Sequence, residues 1–276
     1  MEIRIITVGK IKEKYLNKIK DEITGKKITL AVIQVGNDEA SSVYVKQKEK
    51  MCAQIGANFN HYTFDETTSE EEIINLINKL NKDETTGILV QLPLPPKFNK
   101  DKIINTIKSE KDVDGLTDEN IIKLVKGEHT IIPCTALGVM KILEEINAEI
   151  EGKHAVIIGR SNLVGKPLYN LLLNKNATVT ICHSHTKNLK EICLSADILV
   201  CATNKKHLVT SNMVKKGSIL IDVGIIRENG KLYGNADYEN IKDITSYITP
   251  VPGGVGPLTI AMLANNLLEA CKMQER

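Results

Sequence analysis

His154-Ala155-Val156-Ile157-Ile158-Gly159-Arg160-Ser161-Asn162-Leu163-Val164-Gly165-Lys166-Pro167 is the stretch on which the fold turns. Its apolar start, His154 to Gly159, is short enough for a buried strand, and Val164 to Leu173 carries a helical pattern behind it. A glycine-containing turn between strand and helix leaves the first helix N–H groups free, and the helix dipole adds positive charge where a phosphate would sit. The spacing is neither G-x-G-x-x-G nor a Walker loop: five residues separate Gly159 from Gly165, and Pro167 stands where Ser or Thr would hold magnesium. A tight strand–helix turn with no ligand would need the same glycines, so the loop alone leaves both readings open.

The next strand, Ala177 to Cys182, bears on the cofactor. About 20 residues beyond the first glycine, a site for NAD places an acid on the ribose hydroxyls. Here Cys182-His183-Ser184-His185-Thr186 carries no acid. A carboxylate there would repel a 2′-phosphate, whereas the Ser184 hydroxyl and the Arg160 guanidinium would receive one, which favours NADP over NAD. His183 and His185 read equally as solvated residues at a strand end. Ile198 to Cys201 and Ser218 to Val223 supply two more strands of the same series.

A separate series precedes it. Leu30 to Val35, Ala57 to Thr63 and Gly87 to Gln91 read as strands, the last stopped by Leu92-Pro93-Leu94-Pro95-Pro96. A helix from about Glu39 to Ile55 is closed by Gly56; Ser69 with Glu72 reads as a capping box ahead of Ile73, Leu76, Ile77 and Leu80. Leu137 to Ile146 is a connecting helix, and a final helix runs from about Leu258 to Cys271. The expected fold is α/β, in two lobes with a cleft between them, the second a Rossmann-like doubly wound parallel sheet. Residues 1–125 plus 257–276 form one domain and 126–256 the other.

The 276 residues nearly balance their charges, at a net +2, which gives no reason to propose nucleic acid or membrane as a partner. The N-terminal Met1 to Lys20 has charges throughout and no apolar core of a signal peptide, and no run is long enough to span a bilayer. Six cysteines without a C-x-x-C pair, mostly inside apolar segments, suit a reducing, cytoplasmic setting. No His/Cys/Asp cluster has metal-ligand spacing.

Tyr44 and Lys48 lie four apart on the first helix and project from one face. A lysine held out of bulk water beside a tyrosine can exchange protons near neutral pH. Such a pair is also common on plain surface, just as Lys111-Asp112-Val113-Asp114-Gly115 contains an ordinary D-G turn. The ordered set changes this. Ser41-Ser42-Val43-Tyr44-Val45-x-x-Lys48, Val90-Gln91-Leu92-Pro93-Leu94-Pro95, Lys111-Asp112-Val113-Asp114-Gly115, Pro133-Cys134-Thr135, the Gly159 loop, Cys182-His183-Ser184-x-Thr186 and Pro250-Val251-Pro252-Gly253-Gly254-Val255-Gly256-Pro257 follow one another. Together they resemble the bifunctional methylenetetrahydrofolate dehydrogenase/methenyltetrahydrofolate cyclohydrolase family, from about residue 28 to the C-terminus.

The resemblance implies an enzyme that oxidises 5,10-methylenetetrahydrofolate with NADP and hydrolyses the 5,10-methenyl product to 10-formyltetrahydrofolate, in the one-carbon metabolism that feeds purine, methionine and histidine biosynthesis. It makes Lys48 the catalytic lysine, oriented by Gln91. Tyr44 would pack on the folate rings, Asp114 would bind the pterin edge, and Pro252, Gly253 and Gly254 would form the folate-side loop. Gly159, Arg160, Ser161, Ser184 and Ile225 would contact NADP. It also implies a homodimer joined through the nucleotide-binding lobes. The chain departs from the pattern at Leu116-Thr117-Asp118, where His-Pro is frequent, at Ala136 in place of proline, at Asn204-Lys205 in place of a glycine-containing turn, and at Gly234-Asn235 in place of Gly-Asp. A dehydrogenase without the hydrolase, a non-catalytic NADPH sensor and a shikimate-type oxidoreductase are the competing readings; the last leaves K-D-V-D-G and P-G-G-V-G-P unexplained.

Overall fold

In the computed structural model, which describes residues 4–5 and 8–275, the elements alternate as the apolar pattern predicts. Strand β1 (Arg4–Ile5) and helix α1 (Val8–Ile23) precede β2 (Thr29–Val35), α2 (Glu39–Ile55), β3 (Asn58–Phe64), α3 (Glu70–Leu80) and β4 (Gly87–Val90). Two short helices, α4 (Lys100–Asn105) and α5 (Asp118–Lys126), lead to α6 (Cys134–Glu145). Then come β5 (His154–Ile158), α7 (Gly165–Leu173), β6 (Thr178–Cys182), α8 (Leu189–Leu194), β7 (Ile198–Cys201) and β8 (Ile219–Asp222). The chain ends with β9 (Ile226–Glu228), β10 (Lys231–Tyr233), α9 (Tyr238–Ile241), β11 (Tyr247–Ile248) and α10 (Val255–Gln274). Of the Met1–Lys20 stretch read for a leader, residues 1–3, 6 and 7 lie outside the described residues. Among the described residues no helix is long and apolar enough to cross a membrane.

The backbone gathers into two compact units, Glu13–Cys134 with Ile260–Arg276, and Met1–Lys12 with Thr135–Thr259. In the first, a parallel sheet has the order β3-β2-β4. Every residue of β2 is buried, as expected of a central parallel strand covered on both faces. Ser69 caps α3 by accepting the Glu72 N–H, and Ile73, Ile77 and Leu80 recur at helical spacing to pack on the sheet with Ala31, Ile33, Ile88 and Val90. Gly56 ends α2 in a left-handed conformation, φ 86°.

In the second unit six parallel strands take the order β1-β11-β8-β7-β5-β6. The chain leaves β5 for β6 on one side and returns to β7 on the other. The connections after β5 and β7 therefore diverge at the carboxyl ends of neighbouring strands, the position where open α/β sheets bind ligands.

Four differences from the sequence reading have physical causes. Strand β1 pairs in parallel with β11, so Arg4–Ile5 join the six-stranded sheet although residues 1–125 were assigned to the other domain; two residues carry too little pattern to announce a strand. Helix α1 hides among its charges, yet Leu16, Ile19 and Ile23 recur at three- and four-residue steps and are buried. Helix α10 starts at Val255, within the glycine-proline run, because Pro257 falls in the first turn, where its missing N–H has no helical partner to lose. The β9–β10 ribbon was also unread. Its signal is Asn229-Gly230, with φ 52° and 75° as a two-residue hairpin turn requires.

Candidate active site

Helix α2 buries Ser41, Val45, Lys48, Met51, Cys52 and Ile55, and Lys48 sits in the middle of that stripe. A lysine amine among core positions must find polar partners. Its Nζ donates to Gln91 Oε1 at 2.6 Å. Gln91 is itself held: it follows β4, its backbone N–H donates to Ile33 O at 2.8 Å, and its Nε2 donates to Leu92 O at 2.7 Å. The backbone N–H and the side-chain Nε2 of Gln91 are thus both anchored, with Oε1 aimed at the lysine. Tyr44, one turn earlier, is 43% exposed, so the pair seen in the sequence divides into one buried amine and one open ring.

Asp114 comes from the turn after the 3-10 segment Ser109–Lys111. The bridge between Ile88 and Asp112 brings this segment beside β4. Asp112 is buried and accepts from Thr117 N at 2.7 Å and Asn120 Nδ2 at 2.9 Å. Gly115 has φ 68°, and a Cβ there would meet Ile131 O at 2.7 Å, so only glycine serves. Asp114 keeps some solvent access, yet burial pushes its carboxyl above the ordinary carboxylate range against the opposing pull of Lys48. Burial likewise holds the Lys48 amine below the usual lysine range, opposed by Asp114. Both shifts favour the uncharged forms, and an uncharged amine is the form that can accept a proton.

Two supporting residues had no role assigned from sequence. The Cys134 thiol lies against Asp114 and, at 3.6 Å, the Val113 carbonyl, and burial pushes it well above the usual thiol range. Asn266 of α10, 1% exposed, donates from Nδ2 to Val113 O at 2.9 Å and Ile132 O at 2.7 Å. That single amide ties both backbone segments flanking Asp114 and Cys134. A polar residue inside an apolar helical stripe (Leu263, Leu267 and Ala270 are its buried neighbours) is the signal that could have found it.

In the other unit, Gly159 ends β5 with φ 126°, and a Cβ there would overlap Ala202 O at the end of β7. A Cβ on Gly165 would overlap Gly159 O. These glycines are required by close backbone approach at the switch point. Ser161 Oγ accepts the Val164 N–H at 3.2 Å and shapes the turn. Ile158 and Cys182 are in register, so Arg160 and Ser184, both exposed, follow the ends of adjacent strands. His183 and His185 share that end, with ring centroids 6.0 Å apart. Ile225, 48% exposed, follows β8, and Pro252, Gly253 and Gly254 form the turn after β11. Glycine-permitted backbone approach at the switch point and an acid-free second strand fit a dinucleotide carrying a 2′-phosphate.

These features define a pyridine-nucleotide-dependent α/β enzyme whose first unit carries a buried, hydrogen-bonded lysine. Comparison with known proteins makes the class specific. The tetrahydrofolate dehydrogenase/cyclohydrolase catalytic-domain model matches residues 6–114, and the model of the NAD(P)-binding domain of the same enzymes matches residues 133–275. A bifunctional protein FolD from Caldicellulosiruptor saccharolyticus is 51% identical over 265 residues, 94% of each chain. The crystal structure of the bifunctional FolD enzyme of Campylobacter jejuni superposes with TM-score 0.96 at 43% identity, covering 99% of this chain and 100% of that one. A Trypanosoma brucei enzyme complexed with NADP and an inhibitor gives TM-score 0.94 at 33% identity, over 100% and 99% of the chains. The chain belongs to the tetrahydrofolate dehydrogenase/cyclohydrolase family, whose members join a methylenetetrahydrofolate dehydrogenase to a methenyltetrahydrofolate cyclohydrolase.

Proposed function

We propose that Lys48, oriented by Gln91, serves the proton transfers of both folate reactions, and that Asp114 binds the folate. The bonded pair of a buried amine and a doubly tethered amide carries this reading. NADP, held by Gly159, Arg160, Ser161, Ser184 and Ile225, would supply the hydride acceptor for oxidation of the methylene carbon of 5,10-methylenetetrahydrofolate. The product cation is stabilised by its two nitrogens, so the chain's task in that step is alignment. Tyr44 offers a flat face for the folate rings, and Asp114 an acceptor for paired N–H groups at the pterin edge.

In hydrolysis, the uncharged Lys48 amine accepts a proton from water as the oxygen bonds to the methenyl carbon. The resulting ammonium returns that proton to N5 as the carbon–N5 bond breaks. The hydroxyl proton leaves to solvent as the formyl carbonyl forms, so one proton is released per turnover. Burial that lowers the amine's pKa enlarges the uncharged fraction on which the first transfer depends.

Gly159, Arg160, Ser161, Ser184 and Ile225 form the NADP site in this reading, with Pro252, Gly253 and Gly254 on the folate side. The folate-binding catalytic domain is Glu13–Cys134 with Ile260–Arg276, and the remaining unit is the nucleotide-binding domain. The protein works as a cytoplasmic homodimer.

Two assays test the reading. With methylenetetrahydrofolate, reduction of NADP should exceed that of NAD; added methenyltetrahydrofolate should decay to the 10-formyl product faster than in buffer. Reduction without hydrolysis would leave a monofunctional dehydrogenase, and silence in both would remove the enzymatic reading. Arg160→Ala separates the cofactors further. A lost charge-assisted contact costs about 1.5–3 kcal/mol, roughly tenfold to 150-fold in the NADP Michaelis constant, with NAD little changed. Equal effects on both cofactors would mean that Arg160 does not read the 2′-phosphate.

A further inference from the structure

Residues 203–207, which follow β7, adjoin the backbone that Gly159 approaches, and they are pinned from two sides. On the buried side stands Asn235, fully enclosed. Its Oδ1 accepts from Thr203 N at 2.9 Å, while Nδ2 donates to Thr203 O at 3.0 Å and to Lys205 O at 2.7 Å. One side chain thus engages three backbone groups of the loop. Asn235 is anchored in turn by Asp222, whose carboxylate accepts from Asn235 N at 3.0 Å, Gly224 N at 2.9 Å and Ala236 N at 2.7 Å. Burial pushes that carboxyl up to about 6, against the three backbone donors. Thr249, just past β11, receives the Asp222 N–H at 2.7 Å. The ends of β7, β8 and β11 are therefore tied together by three side chains, those of Asn235, Asp222 and Thr249.

The surrounding sequence is shaped to admit them. A Cβ on Gly224 would meet Asn235 Oδ1 at 2.5 Å, and one on Gly234 would overlap the Asp222 carboxylate. On the solvent side, Lys206 Nζ lies 3.6 Å above the Tyr233 ring and pairs with Glu228 of the β9–β10 ribbon. The His207 ring meets Tyr233 edge-on at 5.9 Å, from a left-handed backbone, φ 48°.

A connection at the end of a parallel strand is by default among the more mobile parts of a fold, and ordering it on binding weakens affinity. Here the ordering is built in. We propose that Asn235 is a positioning residue for NADP: by holding Thr203 and Lys205 it pre-forms the wall of the cofactor site opposite the Gly159 turn. This rests on the reading that NADP binds at the β5/β7 switch point. The amide fits the place, since its two N–H donors meet two carbonyls while its oxygen meets the Thr203 N–H.

Asn235→Ala and Asn235→Leu, which remove both the donors and the acceptor, test this in the full-length protein. NADPH binding is followed by its fluorescence without folate, and hydrolysis of added methenyltetrahydrofolate is followed without any nucleotide. The expected result is NADPH binding weakened by about tenfold or more, equivalent to 1.4 kcal/mol, with hydrolysis within about twofold of wild type. NADPH binding equal to wild type overturns the proposal, and so does a parallel fall of binding and hydrolysis, which would mark a merely structural role. Should both variants fail to fold, Tyr233→Ala removes the outer clamp alone; loss of one exposed cation–π contact should weaken NADPH binding by about two- to fivefold. No weakening there overturns the proposal. If wild type itself fails to bind NADPH, the cofactor reading falls, and this inference with it.

Discussion

Lys48→Met is expected to lower hydrolysis of methenyltetrahydrofolate by about 10²–10⁴-fold, the usual worth of a positioned acid–base group, while NADPH binding stays as in wild type. Methionine keeps the length of the lysine stem within the apolar stripe of α2 and removes only the amine that Gln91 orients. The pH profile gives the argument its sign. An uncharged amine accepts the proton from water, so the wild-type rate should rise with pH and level off above the amine's pKa. Burial holds that pKa below the ordinary 10.5, so the plateau should begin at a lower pH than a free lysine allows. Lys48→Arg keeps the charge but cannot give it up, and should not restore the rate. Stopped-flow decay of added methenyltetrahydrofolate across pH measures both statements. Hydrolysis by Lys48→Met at the wild-type rate would remove Lys48 from the mechanism.

The α/β alternation was legible because buried parallel strands are short continuous apolar runs, such as Leu30 to Val35 and Ile198 to Cys201, set between helical spacings. Capping was legible for the same local reason, as Ser69 and Gly56 show. What escaped were elements whose reason to exist is non-local. β1 is a strand only because β11 offers it an edge, and α1 is amphipathic in a window whose charges dominate. At the site, Tyr44, Lys48, Gln91 and Asp114 were singled out by their ordered motifs. Residue type alone would place Lys48 at the surface; the fold shows it at a core position of α2, in line with Val45, Cys52 and Ile55. Asn266 and the Asn235–Asp222 pair act through backbone carbonyls and amides far away in sequence, and such partners leave no trace in local pattern. Asn235 was visible only as a departure from the family pattern, without a reason attached.

Gly159→Ala should have the second large effect, because it meets two costs at once. Its φ of 126° lies where L side chains are strained, at about 1–3 kcal/mol. Its new Cβ would also overlap Ala202 O, a backbone atom with no rotamer to yield, adding about 1–3 kcal/mol of overpacking. Together they take roughly 2–6 kcal/mol from a typical total of about 5–15 kcal/mol. The least costly relaxation would part the ends of β5 and β7, which is where the phosphates are to be held. Gly217→Ala supplies the control, since it shares a left-handed φ of 81° but a Cβ there meets nothing within 4 Å. The expected pattern is a thermal midpoint lowered in both variants, further in Gly159→Ala, with NADPH fluorescence lost only in Gly159→Ala. NADPH binding by a folded Gly159→Ala with wild-type affinity would mean that the close approach of these two turns is a packing solution alone and not the frame of the phosphate site.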